Sequence, residues 1–166
     1  MTLKRQFVKY AKMQKSSFDM EKKKIVLTLS KVFPVTSSQA GEPTGFEEKM
    51  KTGVKLHTIR ANKGGVWDKR AKDIADGRKQ LCIREWTGKP YQSEQREFAR
   101  LEKIGLQHVE IFNGNLPLCK VEGKEVPMER LAANDGLTLE QFKEWFFGDG
   151  GTYFEGVIIH FTDFRY

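Results

Sequence analysis

The feature that most limits how this chain can fold is a set of short apolar runs with period-two alternation, broken repeatedly by glycine. In Ile25 to Phe33, Ile25, Leu27 and Leu29 fall on one face and Val26, Thr28 and Ser30 on the other. Such a run has the side-chain period of a strand with one buried face. Lys55–Arg60, Lys79–Trp86, Phe98–Ile104, His108–Phe112 and Phe154–Tyr166 read the same way. Gly105 is expected to bulge two of these runs apart.

Helical patterns lie between the strands. A short helix begins near Thr44 and ends at Gly53. Trp67–Ala75 is a second, closing at Gly77, and Pro127–Ala133 is a third, with Pro in its first turn. Thr138 and Gln141 have the spacing of a capping box, followed by Phe142, Trp145 and Phe146 on one helical face. Pro34–Gly45 is a loop, and Asn113–Asn115 is a turn. Five or six strands interleaved with short helices, without long regular βαβ units, predict an α+β fold with a mixed or antiparallel sheet.

The chain has 166 residues, of which 39% are hydrophobic and 31% charged, so it can bury one core and is not compositionally disordered. The net charge of +7 is unevenly placed. Residues 1–24 carry eight Lys or Arg against Asp19 and Glu21, while residues 25–166 hold 21 basic against 20 acidic. The expected organisation is a basic N-terminal extension, 1–24, and one domain, 25–166. Phe7, Tyr10, Ala11, Gln14 and Phe18 give the extension a helical stripe too weak to stand alone. Such a segment can bind nucleic acid by neutralising phosphates, or be a solvated tail. No apolar run approaches a membrane span, and no apolar stretch follows the basic N-terminus as in a secretory leader. Cys82 and Cys119 form no CxxC pair and read as reduced thiols, so a cytoplasmic protein is expected. His57, His108 and His160 lack metal-ligand spacing, and no metal or other cofactor is expected.

Gly53-Val54-Lys55-Leu56-His57-Thr58-Ile59-Arg60 is the chemically informative stretch. In a regular strand Lys55 and Thr58 point to opposite faces. They converge only if Lys55 sits on the turn after Gly53, before regular pairing begins. A desolvated lysine loses proton affinity and can activate a hydroxyl. An arginine supplies a fixed charge for an anion or carbonyl oxygen. The same residues also read as an exposed lysine, a strand-edge threonine and a surface arginine, and spacing alone favours that plain reading. His57 would be an ordinary polar lining group. Arg84 and Trp86 share a strand face, with Lys89 and Tyr91 on the following turn. Such a set can stack bases and hold phosphate, or simply pack on the sheet.

Gly53, Lys55 and Arg60 resemble the G-x-K-x-x-x-x-R signature of the ASCH domain family, within the PUA-like superfamily. With Thr58 the stretch is similar to G-x-K-x-x-T-x-R of the small bacterial acetylcytidine amidohydrolases. The resemblance implies a PUA-like β-barrel that handles RNA or nucleosides. It implies a catalytic lysine and threonine at Lys55 and Thr58. It also implies an assisting acid just before a helix, which falls on Asp135 in Asp135-Gly136-Leu137-Thr138-Leu139. Those enzymes carry Glu there, and Asp is one methylene shorter. The expected function is binding of RNA or a modified nucleoside in a cleft lined by Lys55, Thr58, Arg60 and Asp135, with His57, Arg84, Trp86 and Tyr91 as further ligand contacts. The alternative is an amidohydrolase removing the acetyl group of acetylcytidine.

Overall fold

The computed structural model describes residues 21–166. The helical stripe between Phe7 and Phe18 lies outside the described residues. Lys23 and Lys24, assigned above to the extension, already pair with Lys79 and Gln80 in the first strand.

Eight strands and four α-helices are present among the described residues. In chain order they are β1 (Lys23–Thr28), α1 (Phe46–Lys51), β2 (His57–Arg60), α2 (Val66–Ala75), β3 (Lys79–Trp86), β4 (Gln95–Leu101), β5 (Gly105–Phe112), β6 (Leu118–Val121), β7 (Lys124–Val126), α3 (Met128–Asn134), α4 (Leu139–Phe147) and β8 (Tyr153–His160). They build two sheets, one ordered β1-β3-β4 and the other β2-β8-β5-β6-β7. β1 pairs with β3 in parallel, and the other ladders are antiparallel.

The α+β class stands, but the backbone ladders do not close a barrel, and there are eight strands rather than five or six. The two extra strands, β6 and β7, form a hairpin around Glu122 and Gly123, both at positive φ. That is the backbone of a tight two-residue turn whose twist suits a hairpin. β1 ends at Thr28 instead of Phe33 because the chain beyond it finds partners within its own loop. Phe33 N–H donates to the Glu42 carbonyl, and Thr44 Oγ1 donates to the Ser30 carbonyl. Gly105 begins β5 and is not a bulge. The register shift lies in the β3–β4 ladder, where Phe98 of β4 has no partner between Ile83 and Arg84.

The core follows the predicted alternation in β1, whereas β3 and β8 are buried on both faces, at Gln80–Ile83 and Gly156–His160, because other elements cover each side. Ile25, Leu27, Leu81 and Ile83 are buried from the first sheet, and Val109, Ile111, Val157 and Ile159 from the second. Leu131 of α3 and Phe142 of α4 are buried with them. The predicted capping box starts α4: Gln141 N–H donates to Thr138 Oγ1 at 3.2 Å, and Thr138 N–H to Gln141 Oε1 at 2.9 Å. Between the sheets the join is a side chain. Arg60, at the end of β2, donates to the Thr28 carbonyl at the end of β1 at 3.0 Å. Within the second sheet, Gly156 of β8 lets the end of β2 pack close, because a Cβ there would collide with the Arg60 carbonyl oxygen.

Candidate functional site

Gly53 takes a left-handed φ of 75° just beyond α1. The chain then reverses, and Val54 and Lys55 both donate N–H to the Lys49 carbonyl at 2.8 Å. Lys55 therefore precedes β2, which begins at His57, and is free of the strand's alternation. Its side chain turns inward and is 2% exposed. Nζ donates to the Asp135 carbonyl oxygen at 2.7 Å and to Asp135 Oδ1 at 2.8 Å. The Phe46 ring caps the ammonium, 4.1 Å from Nζ to centroid. A cation over an aromatic face, desolvated, gains electrostatic stabilisation beyond contact.

Asp135 reaches this position because α3 stops there. Gly136 follows at φ 78°, and Leu137 N–H returns to the Ala132 carbonyl. Burial is the largest single influence and works against the Asp135 carboxylate, but Lys55 and His57 together outweigh it, so the carboxyl stays below the usual 3.8. Burial also lowers the proton affinity of Lys55 below the usual 10.5, opposed by Asp135 and reinforced by Arg60 and Lys49. The pair is thus an ionised acid beside a lysine that gives up its proton more readily than a free one.

Thr58 is 3% exposed and is not hydrogen-bonded to Lys55. It is bonded instead to Arg60, whose Nη1 donates to Thr58 Oγ1 and to the Ile59 carbonyl, each at 2.8 Å. The residue pairs are therefore Lys55 with Asp135 and Arg60 with Thr58. Arg60 leaves the Thr58 hydroxyl proton free to be donated and places a positive charge where an alkoxide or a ligand oxygen would sit.

The second cluster meets the first at Thr28. Thr28 lies opposite Arg84 in the β1–β3 ladder, and its Oγ1 accepts from Gln95 Nε2 at 3.2 Å. Trp86 lies opposite Gln95 and stacks obliquely on Tyr91, with centroids 5.2 Å apart. Tyr91 is 90% exposed. Arg84 lies 3.7 Å from Glu97, and its Nε is buried without a hydrogen-bond partner among the described residues. A surface hollow of about 390 Å³ opens beside Phe46 and is lined by Lys31, Thr44, Glu47, Lys51 and Glu85 as well. Phe46 separates it from Lys55.

Four residues at the site were not singled out from sequence. Phe46 covers Lys55. Tyr166 Oη lies 2.7 Å from His57 Nε2 and accepts from Asn134 Nδ2 at 3.0 Å. His160 stands edge-on to His57, with centroids 5.5 Å apart, and its Nε2 lies 2.9 Å from Gln107 Oε1. Only the neighbourhood of Asn134 and Asp135 was visible beforehand; Phe46 and Tyr166 carry no motif. Among the described residues, no group of three His, Cys, Asp or Glu side chains is arranged to hold a metal ion, and no helix is long and apolar enough to cross a membrane.

His160 has a consequence for acid stability. Burial, with the charge of Arg165 adding, pushes its pKa from 6.5 down to about 3. Between those values the unfolded chain binds a proton there and the folded chain does not, so stability falls as pH drops from 6.5 towards 3. Urea midpoints measured across that window are expected to fall less steeply in His160→Gln than in the parent protein. An equal slope in both would refute this.

Comparison with protein-family models, with curated proteins and with solved structures returns no match.

Proposed function

We propose that the chain is an ASCH-type, PUA-like domain that binds a nucleoside or a short RNA end at the seam between its two sheets. The observation that carries this reading is the arrangement of the signature residues. Lys55 is buried on Asp135, and Arg60 is fixed on Thr58 at the only side-chain bridge described above between β1 and β2. A polar floor of this kind suits the hydrogen-bonding edge of a base. Trp86 and Tyr91 offer stacking surface at the adjoining rim, and the unpartnered Nε of Arg84 offers a donor. The Arg60 bridge lets the sheets act as two halves of a barrel without a continuous ladder.

A second reading is favoured by one observation: the buried lysine with lowered proton affinity beside an ionised acid. Such a pair suits proton transfer during amide hydrolysis. In that reaction Thr58 Oγ would attack the acetyl carbonyl of acetylcytidine, and Arg60 would steady the oxyanion. Asp135 and Lys55 would carry the hydroxyl proton to the leaving amine, and water would then release acetate from Thr58.

Titration with cytidine, acetylcytidine and a short single-stranded RNA tests the first reading. Trp86→Ala is expected to weaken binding by about tenfold, the loss of one stacked base at roughly 1–3 kcal/mol. Undiminished affinity in Trp86→Ala and Arg84→Ala, or no binding at all, would sink it. Acetate release from acetylcytidine, abolished in Thr58→Ala, would establish the second.

A further inference from the structure

A line of polar groups runs beneath Lys55, and neither reading above uses it. Asn134 Nδ2 donates to Tyr166 Oη at 3.0 Å, and Tyr166 Oη lies 2.7 Å from His57 Nε2. On the other side of the ring, His57 Nδ1 is buried without a hydrogen-bond partner among the described residues, 3.6 Å from Asp135 Oδ1. That oxygen accepts from Lys55 Nζ. His57 is wholly buried.

The hydrogens can be counted along this line. An amide nitrogen only donates, a carboxylate only accepts, and a phenol has one proton to give. A neutral imidazole also has one proton. If it sat on Nε2, Tyr166 Oη would accept twice with its own proton unplaced, and a bare Nδ1 lone pair would face the carboxylate. With the proton on Nδ1, Tyr166 donates to Nε2 and an N–H faces Asp135. Both conflicts disappear.

The same count gives the opposite answer for the neighbouring histidine. Gln107 Oε1 accepts from Tyr166 N–H at 3.1 Å, so it is an oxygen, and His160 must donate to it from Nε2. The two neighbouring rings therefore carry their protons on different nitrogens.

We propose that His57 is a positioning residue for Asp135, held as its Nδ1–H form by Tyr166 and Asn134, so that this N–H faces Asp135 Oδ1 and keeps the carboxylate turned to Lys55. The role rests on the reading of Lys55 and Asp135 as the floor of the site. The tautomer does not, because it follows from local hydrogen-bond donors and acceptors.

Long-range ¹H–¹⁵N spectra of the full, ¹⁵N-labelled chain test the tautomer without any ligand, and His160→Gln and His108→Gln together assign the three rings. The expected result is a bare Nε2 and protonated Nδ1 on His57, with the reverse on His160. Tyr166→Phe should remove the fixed form of His57 and leave His160 as it was. A His57 protonated on Nε2, or on both nitrogens, would overturn the proposal.

Acetylcytidine affinity tests the positioning role. Asn puts an amide N–H close to the place of Nδ1, whereas Gln puts its amide at the place of Nε2. His57→Gln is expected to weaken binding by about tenfold, one hydrogen bond to a charged group, and His57→Asn by much less. Equal losses would refute positioning. If the parent protein binds no nucleoside, the functional reading fails instead, and the spectra alone decide the tautomer.

Discussion

Asp135→Leu is expected to lower the folding stability by about 3–5 kcal/mol, the usual cost of stripping one partner from a buried ion pair. The reason is the environment of Lys55. Its Nζ lies among the Phe46 ring, the Asp135 carbonyl and the Asp135 carboxylate, almost without solvent contact. Without the carboxylate the ammonium keeps one carbonyl and the ring. It then sheds its proton more readily still, which costs free energy wherever free lysine would hold it. The double variant Lys55→Met/Asp135→Leu should recover most of the loss, because a buried pair replaced by apolar groups is often neutral.

The pH dependence of the single variant has a fixed sign. The folded pKa of Lys55 lies below 10.5 even with Asp135 present. Between that folded value and 10.5 the unfolded chain binds more protons, so stability rises with pH, and more steeply in Asp135→Leu. The Asp135 carboxyl acts at the other end: its stabilisation is present above 3.8 and is lost as pH falls through its lower folded value. Urea midpoints at constant slope would measure both variants. A loss below about 1 kcal/mol in the single variant would mean that the pair is solvated, like a surface salt bridge.

Arg60→Lys should fail to replace Arg60. The guanidinium makes three bonds in one plane: to Thr58 Oγ1, to the Ile59 carbonyl and to the Thr28 carbonyl on the other sheet. A lysine ammonium is a compact charge on a flexible stem and cannot span this fork. Arg60→Ala is expected to cost about 2–4 kcal/mol, since each bond to a charged group contributes roughly 1.5–3 kcal/mol and Thr28 and Thr58 lose a partner. Arg60→Lys should recover less than half of that. The loss should also be local. Amide exchange should speed up at the ends of β1 and β2 before it does in β5 and β8, where the ladder is longest. In addition, the Lys55 proton affinity should rise in Arg60→Ala, which removes the charge, and stay low in Arg60→Lys. Uniform exchange across both sheets would mean that Arg60 does not join them.

Much of this was legible from residue order. All six strand runs read from period-two patterns are strands, and β3 has the predicted bounds. The capping box at Thr138 and Gln141 is formed, since both partners lie within one helical turn. Gly53 made a turn at Lys55 conceivable from local signals, but the strand run was read from Lys55, and the strand begins at His57.

β6 and β7 were missed because they are four and three residues long, too short for a pattern to repeat. Their turn, Glu122-Gly123, carried the signal that the runs did not. The strand count and the open sheets followed from pairing between distant segments, which no local pattern encodes.

The sequence by itself determined most of the elements and the α+β class. Only the tertiary structure decided their partners. Asp135 is 80 residues from Lys55 and Tyr166 is 109 from His57. Thr58 went to Arg60 rather than to Lys55, because the reversal at Gly53 turns Lys55 towards α3 while the strand carries Thr58 and Arg60 towards β1. Which donor meets which acceptor is settled by packing, since a buried polar group must find its partner wherever the fold leaves one.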